Sequence, residues 1–103
     1  MTKNSELSVS DLQTAVERLH DCTATYSRSE HVHEVFKGET VWEGDVYVFA
    51  LTGHPSASEC YAWSSPVEGS ERRKVFAVLR VPPVDSAADA VRAAILQGYR
   101  STT

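Results

Sequence analysis

Val46-Tyr47-Val48-Phe49-Ala50-Leu51 is the stretch that decides how the rest of the chain is read. Six apolar residues rich in β-branched and aromatic side chains form a strand, and the absence of polar alternation implies cover on both faces. The strand therefore belongs in the middle of a sheet. Upstream, Thr40-Val41-Trp42 leads into it through Glu43-Gly44-Asp45, where a glycine inside a strand pattern marks a bulge. His31 to Lys37 reads as the preceding strand, and Gly38-Glu39 is the two-residue turn of a hairpin. Between Cys22 and Arg28 the Thr, Tyr and Ser content allows an extended chain, but the pattern is weak and Ser27 to Glu30 resembles a bend.

Downstream, Gly53-His54-Pro55 breaks the central strand, because proline lacks a backbone donor and restricts the residue before it. Cys60-Tyr61-Ala62-Trp63-Ser64 returns as a third strand, Pro66 to Ser70 turns, and Lys74 to Val81 is a fourth. The short connections require antiparallel neighbours. The sheet has four strands, or five if the Cys22 to Arg28 segment joins it separately.

A helix flanks the sheet at each end of the chain. Ser8 caps the first with Asp11 as its box partner and Leu7 stapled to Leu12, Ser10 with Gln13 being the other cap on offer. Val9, Leu12, Val16 and Leu19 recur at the helical period, while Gln13, Glu17 and Arg18 face elsewhere, up to an end near His20 or Asp21. After Pro82-Pro83, Asp85 or Ser86 caps the second helix, the latter with Asp89. Its stripe is Val84, Ala87, Ala88, Val91, Ala94 and Ile95, and Gly98 is a natural C-cap. The fold class is α+β in the order α-β-β-β-β-α, one domain over residues 1–103, with residues 1–6 and 99–103 expected to be flexible.

The 103 residues carry a formal charge of −4, which argues against a nucleic-acid partner. The basic run Arg72, Arg73, Lys74 is read as a solvated turn. No apolar run approaches a membrane span, and the opening residues lack the apolar core of a secretion signal, so a cytoplasmic protein with no membrane partner is expected. Cys22 and Cys60 do not make a disulfide framework.

Strand side chains two apart share a face, so both faces of this sheet carry apolar residues. If both helices cover one face, the other is left with Tyr47, Phe49, Tyr61 and Trp63, and Trp42 and Phe76 join them as ligand or interface candidates. A second copy of the chain is the simplest cover and makes the protein a homodimer. A small apolar ligand in an aromatic cleft, or a cation stacked on Trp42, Tyr61 and Trp63, competes with it. The alternative is that the helices straddle the sheet and the aromatics become core.

His31 and His33 are the metal-ligand candidates, because His-x-His on a strand puts two imidazoles on one side, roughly 6 to 7 Å apart. His54, Cys60 or Glu43 could complete such a site. An acid/base enzyme could use His54 with Glu43 and Asp45, and a nucleophilic one Cys60 with a histidine. The chain has no nucleophile elbow, phosphate-binding glycine loop or dinucleotide fingerprint, and no cofactor is expected.

The segments Val41-Trp42-Glu43-Gly44, Gly53-His54-Pro55, Cys60-Tyr61-Ala62-Trp63 and Val81-Pro82-Pro83 together resemble a group of small uncharacterised bacterial proteins. The likeness runs from about the first strand onward and implies a bacterial source, with no activity or catalytic residue attached. The leading expectation is a non-enzymatic homodimeric module that binds a small molecule or a protein partner. A small enzyme or metal-binding protein using His31, His33, His54 or Cys60, and an acidic inhibitor or antitoxin-like partner of a basic protein, stand as alternatives.

Overall fold

A computed structural model describes residues 8–66, 69 and 72–101. Helix α1 (Val9–His20) is followed by strands β1 (Thr23–Phe36), β2 (Glu39–Thr52), β3 (Glu59–Pro66) and β4 (Arg73–Leu79), and helix α2 (Ala87–Ser101) completes the order. The strands make one four-stranded antiparallel sheet in the order β1-β2-β3-β4, as the sequence requires. No helix among the described residues is long and apolar enough to cross a membrane.

The start of α1 is a complete capping box. Ser8 Oγ accepts the Asp11 N–H at 3.1 Å, and the Asp11 carboxylate accepts the Ser8 N–H at 3.2 Å. Such a cap is worth about 1 kcal/mol. Leu12 and Val16 are fully buried, whereas Leu19, on the same spacing, is 61% exposed. Gln13 and Glu17 do not simply face solvent: Gln13 Nε2 donates to the Ala24 carbonyl at 2.6 Å, and Glu17 accepts the Ala24 N–H at 2.9 Å. These two bonds satisfy both backbone groups of an edge-strand residue and fasten α1 to the beginning of β1.

That attachment accounts for the first departure from the sequence reading. The segment from Thr23 onward is the first half of β1, which runs 14 residues, rather than a bend before a shorter strand. Only Ala24 in that half is buried, so no alternation announces it; pairing with the strong β2 supplies what its own side chains do not. The hairpin turn also lies one residue earlier than expected. Lys37 and Gly38 are its central pair, with φ of 54° and 79°, the two positive values a tight hairpin of matching twist demands.

Two irregularities set which way side chains point. Tyr26 pairs with Phe49 and Arg28 with Val48, so Ser27 is an extra residue in β1. The extra residue reverses the parity of everything after it, placing Val32 on one face with Val46 and Val48, and His31 and His33 on the other. The second bulge is Val41, between Glu34↔Trp42 and Val35↔Thr40, and not Gly44. Gly44 is regularly paired with Val32, and its missing side chain makes room for the Trp42 indole: a Cβ there would meet two ring carbons at 3.0 Å.

Each face of the sheet carries one helix, which overturns the expectation that both helices share a face. α1 sets Leu12 and Val16 against Ala24, Phe49, Cys60 and Ala62, with Tyr47, Val75, Ala77 and Leu79 at the margin. α2 sets Ala87, Ala90 and Val91 against Val32, Val46, Val48, Tyr61 and Trp63. The register explains the split. Phe49 lies opposite Cys60 and Val48 opposite Tyr61, so Tyr47 and Phe49 are on the α1 side while Tyr61 and Trp63 are on the α2 side. No single aromatic face exists on this sheet.

At the start of α2, Ser86 Oγ accepts the Asp89 N–H at 3.1 Å, but the Asp89 carboxylate returns to the N–H of Asp85 rather than that of Ser86. The helix runs through Gly98 to Ser101, past the expected C-cap and into the segment expected to be flexible. A helical glycine costs roughly 1 kcal/mol against alanine and need not end a helix. Residues 1–6, the other segment expected to be flexible, lie outside the described residues, as do 102 and 103.

Candidate functional site

β2 and β3 pair only from Tyr47↔Ala62 to Ala50↔Glu59. Beyond Tyr47 and Ala62 both strands continue, β2 with β1 towards the hairpin turn and β3 with β4 as far as Pro66↔Arg73. The sheet therefore forks into two double-stranded arms. A cleft of about 240 Å³ lies in the fork, and Leu12 of α1 is among the residues that line it.

One wall of the cleft belongs to the β1–β2 arm and centres on His31. Its Nδ1 is 3.0 Å from Asp45 Oδ1, and its Nε2 is 2.8 Å from Glu43 Oε2. Ionised carboxylate oxygens only accept, so the protonated ring, with both nitrogens donating, is the form that satisfies both contacts. The hydrogen bonds to Glu43 and Asp45 hold the His31 pKa above its ordinary value, and the hydrogen bond to His31 holds that of Glu43 below the usual carboxylate range. All three side chains are half exposed, with 50–58% of their surface open, so solvent screens the cluster.

The opposite wall belongs to the β3–β4 arm. Arg73 donates through Nε to Ser64 Oγ at 2.8 Å and through Nη2 to the Ser64 carbonyl at 3.0 Å. Trp42 reaches across the fork, its Nε1 donating to Ser65 Oγ at 3.2 Å. Tyr47 and Gly44 complete the lining. Arg73, Ser64 and Ser65 went unrecognised in the sequence; the basic run read as a solvated turn gave no sign that Arg73 begins β4 and is anchored on β3.

The residues singled out from the sequence scatter. Trp42 and Tyr47 line the cleft. Phe49 is core under α1, Tyr61 and Trp63 are core under α2 with at most 2% of their surface exposed, and Phe76 stacks on Trp63 at 5.2 Å between centroids. His33 shares a face with His31, yet its Nε2 turns to Thr40 Oγ1 at 2.7 Å. Among the described residues no three His, Cys, Asp or Glu side chains are grouped as a metal would need. His54 accepts the Ser56 and Ala57 N–H groups at 3.0 and 3.1 Å through Nδ1 and so holds its own loop. Cys60 is fully buried, and burial pushes its thiol up to about 12, far from a nucleophile's range.

A second concavity lies between the far end of the β1–β2 arm and the outer half of α2. It encloses about 690 Å³ and is lined by Val35, Phe36, Val41, Ile95 and Leu96, with Glu34 and Arg92 on its rim. The rim pair is closed by an Arg92 Nε to Glu34 Oε1 contact of 2.6 Å. Val35, Phe36, Val41 and Leu96 are 41–60% exposed, so large exposed apolar side chains line a common concavity here. Sequence reading missed it because Val35, Phe36 and Ile95 looked like ordinary strand and helix core.

No family model, no curated protein and no solved structure matches the chain. The chemistry of the two concavities is therefore read from their own geometry.

Proposed function

We propose that the protein is a cytoplasmic, non-enzymatic binding module that works as a homodimer, joined through the apolar groove between the β1–β2 arm and α2. The observation that carries the reading is the clustering of Val35, Phe36, Val41 and Leu96, all substantially exposed, around one groove of about 690 Å³. Apolar patches of this kind on small soluble chains serve as contact surfaces.

A second copy is the favoured occupant for a geometric reason. The groove is concave, and Phe36 stands at its edge with 60% of its surface exposed, so one surface offers both a hole and a knob. A two-fold contact sets each against the other. The arm's tip also carries Lys37 near Glu39, so opposite charges are available to pair across the axis. Unpaired Cys22 and Cys60 fit a reducing compartment. The groups that catalysis would draw on are dispersed: Cys60 is buried, His54 holds a loop and His31 is held by two carboxylates.

Sedimentation equilibrium with the wild-type chain and with Phe36→Asp tests this. The wild type should sediment as a dimer at micromolar concentration and Phe36→Asp as a monomer with an unchanged far-ultraviolet spectrum. A monomeric wild type, or a variant that stays fully dimeric, removes the reading.

A further inference from the structure

The polar cleft in the fork has walls of opposite character. On the β1–β2 side, Glu43 uses Oε2 and Asp45 uses Oδ1 on His31, so each carboxylate keeps a second oxygen to accept with. Two carboxylates and one imidazolium leave that wall with a net charge of −1. On the β3–β4 side, Ser64 Oγ accepts from Arg73 and keeps its own proton to donate beside the guanidinium. That wall carries a charge of +1.

Apart from the Trp42 to Ser65 hydrogen bond, the two walls do not close on each other among the described residues. Among the described residues Arg73 makes no ion pair with Glu43 or Asp45, and the side-chain partners of its guanidinium belong to its own arm. An acceptor wall and a donor wall facing each other across open space suit a molecule that carries a cation at one end and an anion at the other. At about 240 Å³ the cleft is smaller than the roughly 300–1,000 Å³ of drug-sized sites, which limits the occupant to the size of a single amino acid.

We propose that the fork binds a small zwitterion, its ammonium on Glu43 and Asp45 and its carboxylate on Arg73 and Ser64. The Trp42 ring borders the same space. This site is separate from the groove that joins two copies, and it stands whether or not the protein dimerises.

The test is a titration of ¹⁵N-labelled protein with glycine, β-alanine and γ-aminobutyrate, with methylammonium and acetate as one-charge controls, at neutral pH. At least one zwitterion should shift the Gly44, Ser64 and Ser65 amides saturably. Each control should bind about tenfold more weakly or worse, the worth of one charge-assisted hydrogen bond. Arg73→Gln should lose the binding by a similar factor, and Arg73→Lys should restore part of it. Absence of any saturable shift at millimolar concentration, or equal binding of methylammonium or acetate alone, overturns the proposal. So does unchanged affinity in a folded Arg73→Gln protein.

Discussion

The two halves of the β1–β2 hairpin are built from the same strands and live in different surroundings. Near Tyr47 to Ala50 the sheet has all four strands and a helix on each side, so Val48 and Phe49 are inaccessible to solvent. Beyond the fork the same two strands run on with only each other for backbone partners, and Val35, Phe36 and Val41 remain substantially exposed. Where helices cover them, each contributes roughly 1.5–3 kcal/mol to folding; towards the tip of the arm they stay open to solvent.

The sharpest way to break this contrast is to cut a large side chain on each side of it. Trp63→Ala removes an indole stacked on Phe76 and tilted against Trp42, and should cost about 3–5 kcal/mol in urea unfolding. Phe36→Ala on the arm should change the stability of the monomer by no more than about 0.5 kcal/mol. Comparable losses at the two positions would show that the arm is as much a part of the core as the sandwich.

Gly44→Ala probes the boundary between the halves. The added methyl meets Trp42 ring carbons at 3.0 Å, so the ring must move and its bond to Ser65 must lengthen or break. The expected cost is about 1–3 kcal/mol, with a change in tryptophan fluorescence. A neutral substitution would mean that Trp42 does not lie over Gly44.

The smallest effect is electrostatic and confined to the arm. His31 should titrate by NMR above its ordinary value of 6.5, and Glu43→Gln or Asp45→Asn should each bring it down. A folded pKa above the unfolded one gives stabilisation that is complete below the unfolded value and fades as pH rises through the folded value. Glu43 runs the other way: its stabilisation is present above its unfolded pKa and is lost as pH falls through the lower folded one. The exposure of both groups keeps the consequence for global stability small. A His31 that titrates at or below its ordinary value would show that the carboxylates do not hold it.

How much of this was legible in the sequence depended on whether a signal was local. The capping box at Ser8 and Asp11 and the apolar run at Val46 to Leu51 are written within a few residues, and both appear where the sequence places them. The start of β1 was not legible, because Thr23, Thr25 and Tyr26 have no apolar period of their own and become a strand through β2 and through two side chains of α1. The cleft was half legible. His31, Glu43 and Asp45 drew notice as chemical groups, but Arg73 and the serines opposite them come from a distant part of the chain.

By itself, then, the sequence determined the kinds of element, their order and the antiparallel sheet, because helix period, strand run and turn chemistry are short-range properties of neighbouring residues. Only the tertiary structure decided which face each aromatic occupies, since a strand's two faces are exchanged by a single residue of register. The bulge at Ser27 and the pairing of Phe49 with Cys60 and Val48 with Tyr61 made that choice. They separated aromatics that looked like one surface, buried most of them under two helices, and left the exposed apolar residues on the arm and the polar cleft in the fork.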